Sequence, residues 1–139
     1  MNCAPSGIPD DFLVPGMFRR YMVRDLVNEQ RMCSAVLRDG RNTQVKLSAR
    51  RTPMVCEIIM LRIQTDRGST PFMAYPGTTV LLPEGPILAS ELEPGARVFG
   101  GNTVQDIQRP IVFAAFYKVI GDKPAFVNAG PLYIQTVMQ

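Results

Sequence analysis

Three cysteines, Cys3, Cys33 and Cys56, are the strongest nucleophiles this chain offers, and it has no histidine to activate them. A thiol reacts as its thiolate, and an imidazole titrating near neutrality is the usual proton carrier beside one. Ser-His-Asp and Cys-His arrangements are therefore both excluded. The cysteines form no Cys-x-x-Cys pair, so a zinc site is not expected, and an odd, widely spaced set does not read as a disulfide framework. Cys33 and Cys56 are expected to be free, mostly buried thiols. Carboxylates pair at Asp10-Asp11 and at Glu91/Glu93. The first pair lies among prolines and the second flanks a turn, so both read as solvated and not as acid–base pairs. No Gly-x-x-x-x-Gly-Lys phosphate loop occurs, and Gly100-Gly101-Asn102 reads as a turn. No catalytic, cofactor-binding or metal-ligating residue is assigned.

What remains is arginine. Twelve of the 15 basic residues are Arg, and the net charge is +3. The charge is uneven: residues 1–62 hold ten Lys/Arg against six Asp/Glu, and residues 63–139 hold five against six. Arginine suits bidentate pairing with carboxylate or phosphate and is favoured at interfaces. Arg19, Arg20, Arg24, Arg50 and Arg51 are the candidate interface residues. An acidic protein partner fits them better than nucleic acid, because acids are interleaved and no aromatic stacking pattern accompanies them. A plain solvated face is the alternative.

A hydrophobic content of 46% and a charged content of 19% describe an ordinary globular chain, and 139 residues suit one domain. No apolar run is long enough for a membrane-spanning helix. The start, Met1-Asn2-Cys3-Ala4-Pro5, lacks the basic and apolar stretches of a secretory signal, so a cytoplasmic location is expected.

The elements that would position any site follow from turn residues and alternation. Residues 1–16 carry Pro5, Pro9 and Pro15 with Gly7 and Gly16, which predicts an extended arm with little regular structure. Residues 17–32 are nearly free of breakers. Phe18, Met22 and Leu26 could form a helical stripe opposite Arg19, Arg20 and Arg24, with a strand through Tyr21-Met22-Val23 as the alternative. Residues 33–139 read as strands and hairpins. Cys33–Leu37 and Thr43–Leu47 flank an Asp39-Gly40 turn, and Met54–Thr65 forms a long apolar run that turns at Asp66-Arg67-Gly68. Thr70–Ala74, Thr78–Leu82, Ile87–Ala89, Val104–Ile107, Ile111–Ile120, Ala125–Val127 and Leu132–Val137 follow. With twelve prolines and eleven glycines as punctuation, the fold class is mainly all-β.

Two stretches add a family resemblance. In the first, the strand Ile58–Thr65 and its turn lead into Phe72-Met73-Ala74-Tyr75-Pro76-Gly77-Thr78, a hairpin through Pro83-Glu84-Gly85, and Ala89-Ser90-Glu91-Leu92-Glu93-Pro94-Gly95-Ala96-Arg97-Val98. In the second, Phe126-Val127-Asn128-Ala129-Gly130 runs into Pro131-Leu132-Tyr133-Ile134-Gln135. In this order they resemble Hint (hedgehog/intein) domains. The likeness covers residues 57–139 well and residues 1–56 loosely. It implies a Hint-like β domain of short strands and hairpins, preceded by the arm and the helix.

The resemblance also implies what is missing. Hint domains rearrange a peptide bond at an N-terminal Cys or Ser, helped by the histidine of a Thr-x-x-His segment; self-splicing members end in His-Asn, whose Asn cyclises. Here the Thr-x-x-His region is Ala74-Tyr75-Pro76-Gly77, or Ala74 to Thr78 with one insertion, and it has no histidine. The terminal pair maps to Ile134-Gln135, and the usual Asp of the Gly-Asp-x-Val element is Ala96. Cys3 could stand for the nucleophile, but without a base it would be dormant. The expectation is a degenerate, non-enzymatic Hint-like domain with no cofactor. It would serve as a structural or assembly protein bound to other subunits, for example in a virus or phage particle. The alternative is a small binding module using the arginines.

Overall fold

The computed structural model describes residues 5–138. It contains thirteen strands and two short 3-10 turns, with no longer helix among the described residues. The strands are β1 Leu13–Pro15, β2 Arg20–Met22, β3 Arg31–Val36, β4 Asn42–Glu57, β5 Ile59–Thr65, β6 Gly68–Ala74 and β7 Thr79–Leu82. They continue as β8 Gly85–Leu88, β9 Thr103–Gln108, β10 Ile111–Gly121, β11 Phe126–Asn128, β12 Tyr133–Gln135 and β13 Val137–Met138. Eight strands form one sheet in the order β13-β10-β4-β3-β11-β12-β7-β8; β6-β5-β9 form a second, and β1-β2 a small third. The all-β expectation holds.

The hairpins follow their turn residues. β3 and β4 are joined through Asp39-Gly40, where Gly40 takes φ +88°, closed to most side chains, and Asp39 Oδ1 accepts the Arg41 N–H at 3.1 Å. The Met54–Thr65 run is divided. β4 ends at Glu57 and β5 begins at Ile59, the chain redirecting at Ile58, whose N–H donates to Pro110 O. β4 instead extends back through Pro53, which is tolerated because this half of β4 has a strand neighbour on one side only. Leu92, 1% exposed, anchors the turn that passes through Gly95.

The β4–β10 ribbon organises the molecule. Its antiparallel register runs from Glu57↔Ile111 to Leu47↔Gly121. Val45, Leu47 and Ala49 of β4 enter the main core, which includes Val14, Leu26, Ile63, Val80 and Leu132. Further along, the phase changes: Met54 and Cys56 of β4, with Ala114 and Phe116 of β10, turn to a separate cluster around Ile58 and Tyr75.

Two expectations need correction. No helix spans residues 17–32: Arg20–Met22 is a strand, Val23–Leu26 a single 3-10 turn, and β3 starts at Arg31. The strand alternative is the observed one, because β1 supplies a pairing edge (Val14↔Tyr21) that outweighs the helical stripe. Asp25 Oδ2 accepts the Met22 N–H, and Asn28 at φ +62° ends the turn. Residues 5–16 have little regular structure, but they pack on the chain's own core and do not stand off it as an arm. Ile8 bridges Tyr117, Leu13–Pro15 is β1, and Ile8 and Val14 are fully buried in the chain's own core. The prolines set the bends, while the apolar residues between them supply the burial.

Candidate functional site

In the family resembled, chemistry occurs where the Thr-x-x-His segment meets the N-terminal segment. Here the chain from Pro5 to Gly7 lies along residues 75–78. Gly77 N–H donates to Pro5 O at 2.7 Å, and Tyr75 N–H donates to Gly7 O at 2.9 Å. Thr78 Oγ1 accepts the Gly7 N–H at 2.9 Å and donates to Gly7 O at 3.1 Å. Thr78 is 2% exposed, so this hydroxyl holds both backbone polar groups of one residue, Gly7, away from water.

The side chain reaching an N-terminal peptide N–H is Thr78, the residue that ends the Ala74-to-Thr78 reading of this segment. Ala74 is still in β6, paired with Ile59. The residue that Thr78 holds is Gly7. Cys3, the sequence candidate, lies outside the described residues.

Tyr75 occupies the space a nucleophilic side chain would need. A Cβ on Gly7 would stand 2.8 Å from Tyr75 Cδ2 and 3.3 Å from Phe116 Cβ. The Tyr75 ring is fully buried, 4.7 Å from the Phe116 ring between centroids. Its hydroxyl lies 2.5 Å from Thr52 O and 2.8 Å from Ala114 O, so its one proton serves one of them at a time, and it accepts the Phe116 N–H at 3.2 Å. It is wedged into the β4–β10 ladder.

Beside this contact a cleft of about 310 Å³ is lined by Pro5, Ser6, Gly77, Lys118, Gln135 and Thr136, among others. Ile134 and Gln135, at the mapped terminal pair, close β12. Ile134 is 2% exposed and packs into the core; the half-buried Gln135 lines the cleft. The next residue, Thr136, is held by Ala125 and by Lys123 O. The cleft therefore joins the N-terminal segment, the 75–78 segment and the end of β12, three stretches far apart in sequence.

The other reactive groups lie elsewhere. Cys33 is buried in the main core, and burial pushes its thiol up to about 11. Cys56 is half-buried against the Tyr75 cluster, its thiol raised by burial and by Glu57. Both are free. Raised thiols stay protonated at neutral pH and are poor nucleophiles.

The five candidate arginines fall in two stretches of the chain, residues 19–24 and 50–51. Arg19, in the β1–β2 turn, stacks 4.9 Å from the centre of the Tyr21 ring, with Arg31 5.4 Å from the same centre. Arg20 begins β2, and Arg24 lies 3.9 Å from Asp10. Arg50 and Arg51 are neighbours on β4 and so belong to opposite strand faces. Sequence reading missed Gly7, Tyr75 and Thr78 as a unit. The signal available was the three-residue spacing of Tyr75 and Thr78.

The comparisons with known proteins bear on the fold. No family model matches the chain, and no curated protein matches it in sequence. Among solved structures it is similar to the Ssp DnaB mini-intein variant M86, with a TM-score of 0.75 and 13% identity over 99% of this chain and 98% of that one. A DnaB intein from Synechocystis superposes with a TM-score of 0.71 and 13% identity, covering 96% of this chain and 99% of that chain. A bacterial intein-like domain from Clostridium thermocellum gives 0.67 and 12%, covering 98% and 99%. The chain has a Hint/intein-like fold.

Proposed function

We propose that this is a non-enzymatic Hint-like domain, used as a rigid structural subunit of a larger protein assembly, with a virus or phage particle as its setting. One observation carries the inactive reading: the peptide N–H gripped by Thr78 belongs to a glycine. Rearranging that bond needs an S–H or O–H on the same residue to attack the preceding carbonyl, and a proton for the departing nitrogen. Gly7 has no such group, and a threonine hydroxyl does not titrate near neutrality. Ser6 is the nearest hydroxyl-bearing residue in the cleft, but among the described residues no hydrogen bond activates its own N–H.

Intact-mass measurement of the full chain after incubation with thiol or hydroxylamine tests this. The expected mass is unchanged; loss of the segment before Ser6 or Gly7 would refute it. The assembly part is tested by co-sedimentation with large particles. A second reading, a binding module, draws on the β1–β2 tip, where Phe18 is 93% exposed beside Arg19 and Arg20. Steeply salt-dependent affinity for DNA or RNA would favour it.

A further inference from the structure

The far half of the β4–β10 ribbon leaves one face uncovered. Alternation puts Val45, Leu47 and Ala49 against the main core, and Arg51, Pro53, Val55 and Glu57 continue the same strand face beyond the core's edge, all exposed. Opposite them on β10 stand Tyr117, Ala115, Phe113 and Ile111. The reverse face is closed by the Tyr75 cluster. Val55, Phe113 and Ile111 are consequently 69%, 65% and 73% exposed although each sits in a paired strand. Single exposed apolar residues are ordinary; three on adjacent rungs mark a contact surface.

We infer that a second copy of this chain covers this face, related by a two-fold axis lying between the two ribbons at right angles to their strands. Such an axis reverses strand direction while keeping β4 over β4. The outward order on β4 is Arg51, Pro53, Val55, Glu57. Reversed onto itself, it sets Arg51 against Glu57 of the second copy at both ends, with Val55 against Pro53 between. On β10 the same reversal sets Phe113 over Ala115, large against small, and Ile111 over Tyr117. Neither Arg51 nor Glu57 has an ion-pair partner among the described residues of its own chain. Six residues of strand hold them about 20 Å apart, too far to pair within one copy. Packed sheets sit about 10 Å apart, within reach of two such side chains. The pattern is self-complementary, as an isologous interface requires.

This gives the assembly role proposed above its surface and rests on that reading for its purpose, though not for its geometry. The two fail separately, because intact mass tests the centre and sedimentation tests this face. Sedimentation equilibrium of the full chain over a concentration series should show a monomer–dimer equilibrium. Phe113→Asp should raise the dissociation constant at least about tenfold while leaving the unfolding free energy of the dilute monomer nearly unchanged. Arg51→Glu and Glu57→Arg should each weaken the dimer several-fold, and the double exchange should restore it. A monomer at every concentration, or a dimer indifferent to Phe113→Asp, overturns the inference. A double exchange that fails to restore association overturns the two-fold arrangement.

Discussion

The two faces of the β4–β10 ribbon are built on the same strands and end in opposite states. On one, Met54, Cys56, Ala114 and Phe116 pack against Ile58 and Tyr75, and the Tyr75 hydroxyl sits within hydrogen-bonding distance of three backbone groups of the ribbon. On the other, Val55, Phe113 and Ile111 face water. Strand composition does not separate them, since both faces are apolar. What differs is the segment laid across each. The 75–78 stretch, pinned to Gly7 by Thr78, covers one face, and among the described residues nothing covers the other. The space around Gly7 is thus filled by packing, and the exposed apolar residues lie on the reverse side of the same ribbon.

Breaking the closed face should have the largest effect. Tyr75→Ala removes a fully buried ring and leaves its backbone partners in a void, which should cost about 3–5 kcal/mol in denaturant unfolding. A loss below 1 kcal/mol by the same assay, roughly the surface range, would dissolve the contrast between the faces. Thr78→Val is nearly isosteric but deprives the Gly7 N–H of its acceptor; we expect about 1–3 kcal/mol, with Thr78→Ser close to wild type.

Gly7→Ala should cost a similar amount, about 1–3 kcal/mol, because its Cβ would stand 2.8 Å from Tyr75 Cδ2. The penalty should largely vanish in a Tyr75→Ala background, so a double-mutant cycle measures how far the ring excludes a side chain at residue 7. Additive losses would mean that the ring is not what keeps the position bare.

A smaller effect is expected from Cys33. Its thiol holds its proton more tightly when folded, so its contribution is complete below the ordinary value of 9.0 and is lost as pH rises towards about 11. Unfolding free energy measured across that window should fall more steeply in wild type than in Cys33→Val. The smallest effect belongs to the open face: Val55→Ser should change the stability of the monomer by less than about 0.5 kcal/mol.

Several features were legible from residue types alone. The Asp39-Gly40 hairpin and the Asp66-Arg67-Gly68 turn were readable because each depends on a few neighbouring residues and on glycine's access to positive φ. The Hint-like order of strands was readable for the same reason, as a succession of local signals. The helix over residues 17–32 was misread because local periodicity cannot register an edge strand. Phe18, counted in the helical stripe, is 93% exposed at the β1–β2 tip, whereas Leu26 is fully buried.

The absence of histidine and of a Thr-x-x-His match belongs to the sequence outright, since composition needs no fold. That the Thr78 side chain is the one that grips Gly7 was decided by tertiary structure. A one-residue slip in extended chain reverses every side chain, and the partner that selects the register, Gly7, is 71 residues away. Burial of one ribbon face and exposure of the other were settled the same way. Alternation determines which residues share a face, but only the packed chain determines whether anything covers it.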